Sequence, residues 1–172
     1  MLFRSVGEGH AAPVVAGDTV YYFDAQADKE VLHAIDKSTA AERWRATIDG
    51  TFRNGQTPPG PRCAPLVDGD RVYAQSCNGE LQCLSVADGR VRWRVNFTKD
   101  YHAGVPAERG VNKGAQRHGY TASPWVDGQR LIVLVGDPDG AGIVCFDKET
   151  GKVLWESQRD RAAYAAPITA VV

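Results

Sequence analysis

This sequence of 172 residues has no excess of charge of either sign. Its Lys and Arg total 20 against 21 Asp and Glu, a formal net charge of −1. That balance leaves no electrostatic footprint for a nucleic acid or an anionic membrane surface. No apolar run is long enough to span a bilayer. The opening MLFRSVGEGH lacks the extended apolar core of a secretion signal; a signal already removed, or one lying upstream, is compatible with it. Cysteine is sparse: Cys63, Cys77, Cys83 and Cys145. No two are adjacent and none has C-x-x-C spacing, so the common zinc and dithiol motifs are excluded. They are expected as buried free thiols, with a Cys63–Cys77 bridge as the alternative, and they leave the compartment undecided. The chain also lacks G-x-S-x-G, a Walker loop, H-E-x-x-H and a basic-aromatic surface stripe.

What the chain does have is a repeat. Its clearest copy is TASPWVDGQRLIVLVGDPDGAGIVCFDKETGKVLW, 121–155, and the same order of parts runs through 63–93 and, more loosely, 11–44. A fourth copy opens with AAPITAVV at 165. Each begins with a small residue before proline: Ala12-Pro13, Ala64-Pro65, Ser123-Pro124, Ala166-Pro167. A Gly-Asp or Gly-Gln turn follows, then a strand rich in Val, Ile, Leu and Tyr, residues that suit a pleated surface. A second turn separates it from the third strand. In the middle copy that turn is Asn78-Gly79, a two-residue hairpin signal that demands φ > 0 at both positions. The third turn leads to a last strand carrying Trp44, Trp93 or Trp155.

Four antiparallel strands per unit, recurring every ~40–60 residues, is the pattern of a β-propeller blade. The expectation is an all-β partial propeller: about three four-stranded antiparallel blades plus one extra strand. The blades are 11–49, 63–97 and 121–157, with 164–172 as the first strand of an incomplete fourth. Residues 1–10 supply an outer or ring-closing strand, or a frayed terminus. Residues 98–120 form a long connection, and long loops in compact domains are often functional. A blade has two apolar faces and must stack on neighbours. With 43% hydrophobic residues the chain has enough apolar side chains for such a core.

The Ala/Ser-Pro strand, the Gly-Asp-x-Val-Tyr strand and the D-K-x-T-G-K-x-x-W corner resemble the repeat of pyrroloquinoline-quinone (PQQ)-type β-propellers. Asp147, Thr150, Gly151 and Trp155 match that corner; Asp88, Gly89 and Trp93 match it in shortened form; Asp36 and Trp44 match, with Ala40 where glycine is expected. More narrowly, EGHAAPVV, GPRCAPLVDGDRVY, CNGELQCL and the stretch 119–155 resemble bacterial PQQ-like repeat proteins. The resemblance covers residue 11 to the end. It implies that Trp44, Trp93 and Trp155, with Gly151, dock each blade on its neighbour and are buried there. It implies a periplasmic or extracellular setting. It also implies a longer ring, completed by self-association or by remaining blades of a longer chain, with a protein partner, no nucleic acid and no membrane span.

The family divides between non-catalytic binding or scaffolding propellers and PQQ-dependent alcohol or sugar dehydrogenases. The enzyme reading needs cations for the carboxylates of PQQ, an aromatic floor and a calcium ion. Arg62, Lys113, Arg117 and His118 are the candidate ligands for an anion, and Tyr120 the candidate stacking ring. His102 and His118 are the candidate acid–base pair if they face each other, with Asp100 as the acid near His102. Arg62 is equally suited to holding loop carbonyls. The adjacent cysteine pair of the alcohol-oxidising quinoproteins is absent, so the binding or scaffolding module is preferred.

Overall fold

Proline at the head of each repeat cannot donate to a ladder, and each first strand starts directly after it. In the computed structural model, which describes residues 7–55, 57–104, 117–168 and 170, the repeat folds into three four-stranded antiparallel sheets. The first contains β1 (Val14–Ala16), β2 (Thr19–Gln26), β3 (Lys29–Asp36) and β4 (Glu42–Gly50). The second contains β5 (Leu66–Asp68), β6 (Arg71–Gln75), β7 (Glu80–Ser85) and β8 (Val91–Asn96). A one-turn helix, α1 (Phe97–Asp100), follows it. The third contains β9 (Trp125–Asp127), β10 (Arg130–Asp137), β11 (Ala141–Asp147) and β12 (Val153–Ser157). Within every sheet the strands pair in chain order, the meander of a propeller blade.

Strand periodicity of two decides what faces what. In the first blade Tyr21, Phe23, Leu32 and Ala34 share a face, and they pack on Val72, Ala74 and Leu84 of the second. The second blade turns Tyr73, Leu81 and Cys83 to Leu131, Val133, Val144 and Phe146 of the third. Both cores therefore lie between sheets. All four cysteines are buried and free, so the Cys63–Cys77 bridge is not formed.

The tryptophans hold one register: Trp44 opposite Ala34, Trp93 opposite Cys83, Trp155 opposite Cys145, each beside a bulge in its own strand, where Arg43, Arg92 or Leu154 is the extra residue. The Trp44 Nε1–H donates to the Val86 carbonyl at 2.8 Å, and the Trp93 Nε1–H to the Lys148 carbonyl at 3.1 Å. Each indole thus reaches the corner of the next blade. Trp155 does not share the burial expected of it. It is 42% exposed, because among the described residues no fourth sheet stands against it.

Four further expectations change. The turn with φ > 0 at both central residues is Ala27-Asp28 (48° and 62°), not Asn78-Gly79. At Asn78-Gly79 only the glycine is left-handed; Gly79 N–H bonds to Ser76 O, and Ser76 N–H to Glu80 O, so the loop is longer than two residues. The second corner is not shortened. Ser85 occupies the place of Asp36 and Asp147, since Ser85, Asp36 and Asp147 pair with Arg71, Thr19 and Arg130 at the matching ends of their ladders. Its Gly89 N–H returns to Ser85 O as Gly151 N–H returns to Asp147 O. The long connection is not all loop: Asn96 caps α1, its side chain accepting from Thr98 N and Lys99 N. Finally, residues 164–168 form no strand, because a first strand needs the second to pair with. The proposed strand at 2–6 lies outside the described residues.

Candidate functional site

The turns between second and third strands and the connections between blades meet at one end of the sheets. Hydrogen bonds tie them: Thr51 N–H to Asp28 O, Phe97 N–H to Gly79 O, Tyr120 N–H to Cys77 O, Gly142 N–H to Gln158 O. Arg62, Arg117, His118 and Tyr120 all belong to this end; Lys113 lies outside the described residues.

Arg62 precedes the second inner strand. Its guanidinium donates to the His118 carbonyl at 2.9 Å and to the Thr57 hydroxyl, and sits 4.9 Å over the Phe52 ring. It is a tie between two connections. The His118 ring approaches the Asn54 amide at 3.3 Å and the Tyr164 ring at 5.6 Å. Burial, and then the cations of Arg62 and Arg117, lower its pKa and keep the imidazole neutral at pH 7. The Arg117 carbonyl accepts from the Asn54 amide at 3.1 Å, while the residue itself is exposed. Tyr120 is 1% exposed; its hydroxyl donates to Gly104 O at 2.8 Å, and its ring stands edge-on to Phe97 at 5.1 Å. Such a ring has no open face for a ligand.

His102 and His118 have different partners. His102 Nδ1 lies 3.1 Å from Asp139 Oδ2, and its backbone N–H donates to Asp137 Oδ2 at 3.0 Å. One ligand atom from each of His102, Asp137 and Asp139 lies within 4.8 Å of the others. Asp100 turns away to accept from Asn96 N–H at 2.7 Å. The nearby acids come from the β10–β11 turn, a neighbour that sequence spacing does not reveal.

Sequence reasoning missed one polar group altogether. On the first blade, away from the second, His33 is 1% exposed between two carboxylates. Its Nδ1 lies 2.9 Å from Glu42 Oε2 and its Nε2 3.2 Å from Asp24 Oδ1. Tyr22 stacks on the ring at 4.4 Å and 3°. The signal was available: Tyr22, Asp24, Val31 and His33 alternate with the apolar residues of the opposite face.

PQQ is a flat polycarboxylate that needs free cations and an accessible aromatic plane. Arg62 is committed to Thr57 and His118, and Tyr120 is closed. Among the described candidates, Arg62 and Tyr120 do not fit the quinone.

The family model described as outer membrane protein assembly factor BamB matches residues 2–106. The structure is similar to BamB from Moraxella catarrhalis, with TM-score 0.53 and 18% identity over 83% of this chain and 34% of that one. It is similar to the quinohemoprotein alcohol dehydrogenase from Comamonas testosteroni, with TM-score 0.57 and 22% identity over 88% of this chain and 21% of that one. It is also similar to the computationally designed Ika4 protein, with TM-score 0.53 and 14% identity over 98% of this chain and 89% of that one. The chain thus spans 34% or less of the two natural proteins. No curated protein matches it. With the model matched over more than half of its length, on three blades with one tryptophan register, the chain belongs to the PQQ-like β-propeller repeat family described as outer membrane protein assembly factor BamB.

Proposed function

We propose that the chain is a non-catalytic scaffolding module, part of a larger propeller whose connection face binds protein. The observation that supports this is Arg62. The cation expected from the sequence to meet an anionic cofactor is instead engaged by the His118 carbonyl, the Thr57 hydroxyl and the Phe52 ring. The histidines are likewise engaged with Asp139 and with Asn54, so no acid–base pair is assembled between them. What such a face offers is shape: connections locked to one another, with Arg117 exposed on it. The family description, outer membrane protein assembly factor, fits a role in holding other proteins. Further blades complete the ring in this reading. Among the described residues no helix is long and apolar enough to cross a membrane.

The test adds PQQ with calcium to the purified chain and follows the quinone absorbance. The expected result is the sum of the separate spectra. A saturable spectral change that Arg62→Ala abolishes would establish the quinoprotein reading instead. In parallel, a photo-crosslinking residue at Arg117 is expected to capture a protein; no adduct from that position in the full-length protein would count against a protein-binding face.

A further inference from the structure

The tryptophan contact obeys a rule that can be read off twice. Trp44 donates to the carbonyl of Val86, and three residues on is Gly89, φ 71°. Trp93 donates to the carbonyl of Lys148, and three residues on is Gly151, φ 70°. Each ring lies on the glycine. A Cβ on Gly89 would stand 2.6 Å from Trp44 Cε3, and one on Gly151 2.7 Å from Trp93 Cδ2. Rigid aromatic atoms packed against a sheet cannot retreat from that distance, so the corner accepts an indole only without a Cβ.

The first blade breaks the rule. Its corner has the same shape: Asp36 Oδ1 accepts from Ser38 N and Thr39 N, and Ala40 N–H returns to Asp36 O. Ala40 stands where Gly89 and Gly151 stand, four residues before its tryptophan, with φ 57°. The methyl occupies the place where an incoming indole would rest. At the other end of the chain, Trp155 has the register of Trp44 and Trp93 but, among the described residues, no corner beneath it, and it is 42% exposed.

We infer that Ala40 closes the corner of the first blade to the Trp155 indole of a second copy. The two open ends of this chain are therefore not partners for each other. This rests on the reading of the chain as part of a larger ring. The chain covers 34% of BamB from Moraxella catarrhalis, and AAPITAVV already repeats the head of the next unit. The inference excludes the simplest closed pair, in which the third blade of each copy stacks on the first blade of the other.

Sedimentation of the full chain over a wide concentration range tests it, with circular dichroism confirming that each variant keeps its β signal. Wild type and Trp155→Ala are expected to sediment alike, with Trp155→Phe as a second variant should the alanine fail to fold. Ala40→Gly is expected to gain a concentration-dependent association that Ala40→Gly with Trp155→Ala loses. A wild-type association weakened tenfold or more by Trp155→Ala or Trp155→Phe would overturn the inference. So would an Ala40→Gly chain that sediments as wild type does. A quinone spectrum would sink the scaffolding reading and leave these sedimentation outcomes unaffected, so the two failures are told apart.

Discussion

Glu30 faces the second blade with 0% exposure. One carboxylate oxygen accepts from Phe52 N–H at 3.0 Å; the other has no hydrogen-bond partner among the described residues. Burial is the main influence on it, opposed by that N–H and reinforced by Asp49, and the pKa rises from 4.5 to about 7. A raised carboxyl binds its proton more tightly folded than unfolded. Stability therefore falls as pH climbs from about 4.5 to about 7 and is level beyond. Glu30→Gln should flatten that decline and recover about 2–3 kcal/mol at pH 8, as urea unfolding at a series of pH values would report. His33 adds to the same slope. Burial pulls its pKa down, but Asp24 and Glu42 outweigh burial and raise it above 6.5. Its contribution is whole below pH 6.5 and lost as pH rises through the folded value; His33→Gln should remove that upper part of the slope. Ala40 is a third case. A left-handed alanine costs about 1 kcal/mol relative to glycine, so Ala40→Gly should raise the midpoint of urea unfolding, whereas Gly89→Ala should lower it.

Between elements the tryptophans divide by neighbour rather than by sequence. Trp93 stands over Gly151, 6.0 Å from Tyr73 and 6.3 Å from Phe146. Trp93→Ala should cost about 3–5 kcal/mol, as large-to-small core changes do. Trp155→Ala should cost less than about 1 kcal/mol, because an exposed ring gives up little burial. Denaturation of the two variants side by side would check the contrast; equal losses would mean that Trp155 is covered in solution. The strands were legible for the same reason that the docking was not. Val20, Tyr21 and Tyr22 announce a strand locally, whereas burial of an indole depends on a corner some fifty residues away. Among the candidate site residues, Arg62 was correctly allowed a loop-holding role. The closure of Tyr120 by Gly104 and Phe97 had no local signal, nor did the approach of Asp139 to His102.

At the scale of the molecule, placing both cores between sheets has a consequence for cooperativity. A blade that loses its neighbour loses a face, so neighbouring blades should unfold together. Leu84→Ala, between the first and second blades, is expected to lower the unfolding midpoint read by Tyr and Trp probes and by β-sheet circular dichroism to the same extent. Separate transitions for the two probes would show that the blades melt independently.

Composition and repeat determined a good deal unaided: β class, blade count, strand order, the positions of the turns, and the equivalence of Trp44, Trp93 and Trp155. These follow from periodicity of two and from turn chemistry, which are properties of neighbours in the chain. Tertiary structure alone decided that Ser85 completes the second corner, that α1 starts the long connection, and that a polar triad lies on the first blade. It also decided which tryptophans are covered and which corner is blocked. Those outcomes turn on which side chain stands opposite a given one, and a methyl group at Ala40 or an indole at Trp155 acquires its meaning only from what packs against it.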